Sequence, residues 1–161
     1  MNENTKKVVV CTGSGRHGGL GEAILLRFAN EGYKVVVTDI GNNSDRHLAS
    51  SSDMESVAAG LKSLGVEVLC LPCDVRLPDS VAALFDEVIA RFGRLDVLIN
   101  NAGIGFVMKH SREVTSAEWG LVIDVTLSGV FYCTQEAAKH MEAGGRGGRI
   151  INIASQAAKS G

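Results

Sequence analysis

Five short runs of mostly β-branched and other apolar residues recur along this chain, at residues 7–12 (KVVVCT), 33–39 (YKVVVTD), 66–71 (VEVLCL), 96–100 (DVLIN) and 149–155 (RIINIAS). Most are apolar without a break, so both faces of such a strand must be covered, the usual state of strands in a parallel sheet. Stretches with helical spacing separate them. Residues 19–30 place Leu20, Ala23, Ile24 and Phe28 on one face. After a polar loop over 41–52, Asp53 is suited to cap a helix carrying Met54, Val57, Ala58, Leu61 and Leu64. Pro78 suits the first turn of a third helix, whose stripe is Val81, Leu84, Phe85, Val88 and Phe92. A long fourth helix, about 116 to 141, turns Trp119, Val122, Ile123, Thr126, Val130 and Cys133 inward, and the glycine-rich residues 143–149 end it. Strands alternating with helices in this way predict an α/β fold, a Rossmann-type doubly wound parallel sheet, in one domain spanning 1–161.

Bulk properties narrow the function. The chain has 161 residues, 45% of them apolar, enough for one domain with a core. Its formal net charge is -2 and its pI about 6.1, which gives no electrostatic case for nucleic acid or an anionic membrane. No apolar run approaches a bilayer span, and residues 1–7 are polar and lack a signal-peptide core. Cys11, Cys70, Cys73 and Cys133 lie in or beside apolar segments, which fits reduced thiols and a cytoplasmic location. Cys70 and Cys73 form a C-x-x-C, but no second ligand pair follows, so zinc binding is disfavoured.

The chemistry concentrates where the first strand meets the first helix. Residues 12–21 read TGSGRHGGLG. Glycines at such a turn let backbone N–H groups approach a pyrophosphate, and the helix N-terminus favours its charge. The candidate contacts are Gly13, Ser14, Gly15, Arg16, Gly19, Leu20 and Gly21. Asp39 closes the second strand 18 residues after Gly21, where a carboxylate can accept both hydroxyls of an adenosine ribose and repel a 2′-phosphate. NAD is therefore expected over NADP, with Arg16 as the residue that argues the other way.

The glycine loop, Asp39, Cys73-Asp74-Val75, Asn100-Asn101-Ala102-Gly103 within LDVLINNAG, and GGRIINIAS ending at Ser155 together resemble the classical short-chain dehydrogenases/reductases, over the whole chain and in order. The resemblance implies strand order 3-2-1-4-5. It implies that Asp74 and Val75 flank an adenine and that Asn101, Ala102 and Gly103 stabilise the sheet and line the cofactor floor. Ser155 falls at the catalytic serine, where its hydroxyl would bond the substrate oxygen. Residues 152–157 also look like the polyol and diol dehydrogenase branch, in which Gln156 would touch a second hydroxyl. The expected partner is a small alcohol or ketone, and the full-length protein is expected to be a homo-oligomer. Two departures stand out. The glycine loop is two residues longer than usual, with five residues between Gly13 and Gly19. His17, in that insertion, reads as a solvated loop residue, with a phosphate contact as the alternative. Thr126 also stands where the family has the asparagine of a proton relay.

The family's Tyr-x-x-x-Lys does not occur. Tyr33 and Tyr132 lack a lysine four positions on, and only six residues follow Ser155. In the family the tyrosine is the general acid/base and the lysine lowers its pKa. An apolar fifth strand at a sheet edge invites association. Both points suggest an incomplete chain, inactive alone, of an oxidoreductase exchanging hydride between NAD(H) and a secondary alcohol or ketone. The alternative is a non-catalytic NAD-binding protein, or a fragment needing a second polypeptide.

Overall fold

A computed structural model describes residues 6–41, 49–104 and 109–155. Among these are strands β1 (Val8–Thr12), β2 (Lys34–Asp39), β3 (Val68–Pro72), β4 (Val97–Asn100) and β5 (Arg149–Asn152). They form one parallel sheet in the order β3-β2-β1-β4-β5, as expected. The main helices are α1 (Leu20–Asn30), α2 (Ser51–Lys62), α3 (Pro78–Phe92), α4 (Ser116–Ile123) and α5 (Gly129–Ala143).

The two-residue repeat of the strands builds two cores. Val8 and Val10 of β1 join Val36 and Leu98 against Val81, Leu84, Phe85 and Val88 of α3 and Cys133, Ala137 and Met141 of α5. Val9 and Cys11 join Val35, Val37, Val97 and Ile99 against Leu25 and Ala29 of α1 and Met54, Val57, Ala58 and Leu61 of α2. β1 and β2 are buried throughout β1 and nearly throughout β2, which explains their valine-rich composition. The stripe foreseen on α3 is buried in full.

Three helical expectations need correction. On α1 the buried positions are Gly21, Leu25 and Ala29, while Leu20 is exposed and Ile24 and Phe28 are half-buried. The helix approaches the sheet through its glycine, and that rotates the whole face. Helix α2 starts earlier than foreseen: Ser50 is its cap and Asp53 its third residue, the two forming a reciprocal capping box. Leu64 lies beyond α2 and is exposed. The long fourth helix is not uniform, because a π-helical turn over Asp124–Ser128 separates α4 from α5. Trp119 and Thr126 are exposed, Val122, Ile123 and Val130 are half-buried, and the residues that face the core are Gly129, Cys133, Ala137 and Met141. Of the expected stripe only Cys133, beyond the π turn, is fully buried, because α4 and the turn itself bury none of their residues.

Asp96 pins the starts of three strands. One carboxylate oxygen accepts the Val8 N–H at 2.8 Å, and Arg94 donates to both oxygens at 2.8 and 2.6 Å. Its own N–H donates to the Val8 carbonyl, and its carbonyl accepts from Arg149 N–H. Burial works to raise the Asp96 pKa, but the hydrogen bonds from Arg94 and Val8 hold it below the ordinary carboxylate range. Asp96→Ala should cost about 2 kcal/mol of stability near neutral pH, because a strand N–H and a guanidinium lose their acceptor. With the folded value below the unfolded value of about 4, this contribution is present above that pH and fades as pH falls through the folded value. Urea unfolding of both proteins across pH 2 to 7 should show the gap closing at the acid end; a pH-independent gap would refute the account.

Candidate functional site

In a parallel sheet all carboxyl ends lie on one edge. Registers Thr12 with Thr38, Asp39 with Pro72 and Asn100 with Asn152 bring the glycine loop, Asp39, residues 73–75, Asn101–Gly103 and the Ser155 segment to that edge. The order reverses between β1 and β4, so the segments that leave these strands diverge and open a crevice there.

Thr12 ties the two sides of the crevice together. Its hydroxyl accepts the N–H of Asn101 at 3.1 Å and of Ala102 at 3.0 Å, and donates to the Ile99 carbonyl at 3.4 Å. The Asn101 amide donates to the carbonyls of Thr12 and Gly13, each at 2.9 Å. Gly13 follows at φ +65°, and a Cβ there would stand 2.7 Å from the Ala102 Cα, so only glycine fits between the loop and β4. Thr12 was not among the site residues expected from sequence. The signal available was its place at the end of a buried strand, directly before the first glycine.

The start of the loop is fastened to β2. Ser14 is fully buried. Its hydroxyl donates to the Cys11 carbonyl at 2.7 Å and accepts the Thr38 N–H at 3.1 Å, so its side chain is committed to the protein. Gly15 N–H donates to one oxygen of Asp39 at 3.1 Å, and Ile40 N–H to the other at 2.9 Å. A Cβ on Gly15 would lie 2.8 Å from the Asp39 Cβ and 2.5 Å from Met54, which explains the glycine. The carboxylate is thereby held in place beside the loop, with acceptor capacity left on both oxygens.

The loop delivers the chain into α1. Gly19 is the N-cap and supplies no side-chain cap. The first amides of a helix have no partners within it, so this end is a donor array suited to an anion. Arg16 is exposed at the outer bend of the loop, and Leu20 is exposed at the first position of the helix. The inserted His17 is not a free loop residue: both ring nitrogens are engaged, one with Glu22 of α1 and the other with Ser56 of α2.

Farther along the same edge, Arg76 grips the Asp74 carboxylate, its Nε at 2.8 Å and its Nη2 at 2.5 Å. These hydrogen bonds hold the Asp74 pKa below the ordinary range, against burial. Val75 is buried in the core layer shared with α3 and α5. Thr126 lies in the π turn, where its hydroxyl donates to the Val122 carbonyl at 2.6 Å, back along its own helix. Ser155 is exposed, three residues past the end of β5. Pairing with β4 continues to Ile153, whose N–H donates to the Asn100 carbonyl at 3.0 Å. Asn100 donates to Asn152 at 2.8 Å and to Thr134 of α5 at 3.1 Å, tying β5 to the interior. Gln156 lies outside the described residues.

The thiols play no part at this edge. Burial pushes Cys73 up to about 11 and Cys11 and Cys133 up to about 12, so none is a ready nucleophile. Among the described residues no group of three or more histidine, cysteine, aspartate or glutamate side chains is placed to hold a metal. No helix among them is long and apolar enough to cross a membrane.

The family model described as short chain dehydrogenase matches residues 7–161. The 3beta-hydroxysteroid dehydrogenase of Mediterraneibacter gnavus is 35% identical over 161 residues, which is 100% of this chain and 54% of that protein. The 3-oxoacyl-(acyl-carrier-protein) reductase FabG of Staphylococcus aureus is 39% identical over 154 residues, covering 94% of this chain and 56% of the reductase. Among solved structures, NAD+-bound xylitol dehydrogenase superposes with a TM-score of 0.85 at 30% identity, over 96% of this chain and 55% of that one. The chain thus spans about half the length of the relatives it matches. With its glycine loop, its Asn101 clamp and its strand order all in the places where the sequence motifs put them, this chain belongs to the short-chain dehydrogenase family.

Proposed function

We propose that this chain is the NAD-holding part of an oxidoreductase that interconverts a secondary alcohol and its ketone. The observation that carries this reading is the crevice at the strand-order reversal, where an uncapped α1 N-terminus, the glycine loop and an oriented Asp39 converge. The residues present suit a dinucleotide. The Leu20 and Gly21 amides would hold the pyrophosphate, with Gly19, whose own N–H is spent on the Arg16 carbonyl, shaping the turn beside it; Asp39 would accept the adenosine ribose hydroxyls, and Asp74 and Val75 would border the adenine. Ala102 and Gly103, fixed through Thr12 and Asn101, would form the floor. When bound, the nicotinamide supplies hydride exchange.

The work of the chain itself is to bind and to orient. Asp39 selects against a 2′-phosphate by like charge. Ser155 would hydrogen-bond the reacting oxygen of the substrate, and Gln156 a neighbouring hydroxyl. A polyol or diol is the narrower choice of substrate, supported by the resemblance of residues 152–157 to that branch and by the likeness to a xylitol dehydrogenase. Thr126, in its π turn, takes the position of the relay asparagine. Its hydroxyl satisfies the Val122 carbonyl, which leaves its own backbone carbonyl as the group available to a relay. Assembly as a homo-oligomer and a cytoplasmic location belong to the same proposal, the second supported by four free thiols.

Three outcomes are expected. Calorimetric titration should give tighter binding of NAD than of NADP, and Asp39→Ala should narrow the difference; tighter NADP binding in the wild type would transfer the selecting role to Arg16. The 161-residue chain should turn over no alcohol with NAD in a spectrophotometric assay, because no Tyr-x-x-x-Lys lies within it; turnover would require another proton donor. In a chain extended by a segment that carries this pair, Ser155→Ala should lower the rate by about 10²–10³ while leaving NAD affinity unchanged. An undiminished rate would remove Ser155 from the chemistry.

A further inference from the structure

The insertion in the glycine loop is folded against two helices. Gly19 N–H donates to the Arg16 carbonyl at 3.2 Å, closing a tight turn with Gly18 at φ +68°. Glu22, in the first turn of α1, takes both of its partners from the inserted residues: one carboxylate oxygen meets His17 Nδ1 at 2.9 Å and the other accepts Gly18 N–H at 2.7 Å. His17 Nε2 reaches across to the Ser56 hydroxyl of α2 at 2.8 Å.

From this geometry we propose that His17 is a positioning residue, a strap that locks the glycine loop to α2 and holds its amides in the conformation that receives a pyrophosphate. The inference rests on the dinucleotide reading above. The loop starts rigidly, through Thr12, Ser14 and Gly15, but its second half has no anchor of that kind on the sheet. His17 supplies one. Helices α1 and α2 cover the same face of the sheet, so a bridge between them fixes the loop from the side remote from β4. The strap also deals with a charge. An acidic side chain in the first turn suits the helix dipole, but beside a bound pyrophosphate it would repel. His17 and the Gly18 amide draw the Glu22 carboxylate into hydrogen bonds of its own. A neutral ring with its proton on Nδ1 donates to Glu22 and accepts from Ser56, and an imidazolium donates to both, so the strap forms in either state. Half of the His17 side chain remains exposed, so substitutions there leave the core untouched.

The test is calorimetric binding of NAD, ADP-ribose and adenosine to the wild-type chain and to His17→Ala, Ser56→Ala and His17→Gln. Amide hydrogen exchange of Gly18 and Gly19 in the ligand-free proteins accompanies it. His17→Ala should weaken ADP-ribose and NAD about fivefold, as expected for the loss of a hydrogen-bonded tether, and leave adenosine unchanged. Ser56→Ala should weaken them in the same direction. His17→Gln, whose amide can both donate to Glu22 and accept from Ser56, should restore affinity and slow exchange, a rescue that mere bulk at this position would not produce. Equal ADP-ribose affinity in wild type and His17→Ala, unchanged exchange, or failure of glutamine to rescue would each overturn the strap alone. A folded wild-type chain that binds none of NAD, NADP and ADP-ribose would overturn the dinucleotide reading, and the strap with it.

Discussion

The hydroxyl of Thr12 is the small joint on which the crevice depends. In a doubly wound sheet the segments leaving β1 and β4 part in opposite directions, and the ladder between these strands stops at the pair Cys11 and Ile99, so it does not hold the segments beyond. Thr12 does so by accepting two consecutive N–H groups, those of Asn101 and Ala102, and Asn101 returns two hydrogen bonds to the β1 end. Thr12 is buried and its partners are part-buried, and a buried group left unpaired would cost about 1–3 kcal/mol. The reciprocity fixes the distance between loop and floor. It also explains why a glycine must follow: Gly13 passes so close to Ala102 that any side chain would force the joint open.

A second fastening, from the loop to β2, would let the same residues serve architecture and, in the proposed dinucleotide site, recognition. Asp39 holds Gly15 and Ile40 through its two oxygens before any ligand arrives. Preorganisation of this kind lowers the cost of binding, because the acceptor need not be ordered when the ligand docks. Ser14 illustrates the opposite allocation. Its hydroxyl is buried and spent on Cys11 and Thr38, so in the proposed site only its backbone, or its shaping of the loop, would serve a ligand.

Much of this was legible in the sequence, and the failures have physical causes. Valine-rich runs announced the strands, and the glycine loop, Asp39 and the NNAG segment announced their carboxyl ends, because each of these signals is local. The helix faces were harder. On α1 two apolar stripes compete, one through Leu20 and Ile24 and one through Leu25 and Ala29. The second faces the sheet because it contains Gly21, and a pattern that scores apolar side chains does not count a glycine. Neither α4 nor the π turn buries a residue, so Trp119 and Thr126, placed inward because they share a helical stripe with Cys133, are exposed. The bonds of Thr12 to Asn101, Ser14 to Thr38 and His17 to Ser56 were illegible for a different reason: each joins residues brought together only by tertiary folding. The pairing of His17 with Ser56 spans 39 positions, and no local pattern encodes it.

The two ends of the site differ in how they are held. Those residues that would hold the cofactor leave β1, β2 and β4, strands paired on both sides and buried between two helical layers. Ser155 leaves β5, which among the described residues pairs with β4 alone and exposes Ile151 and Ile153. Beyond the ladder with β4, the Asn100–Asn152 side-chain bond and the Ile153 N–H tie the end of β5 inward. Covering such an edge would bury apolar side chains worth about 1.5–3 kcal/mol each when fully enclosed. In the proposed function, binding and chemistry would therefore draw on separate reserves of stability. The cradle would be fixed by hydrogen bonds among the ends of β1, β2 and β4, whereas Ser155 would be placed by β5, which among the described residues is held by β4 alone.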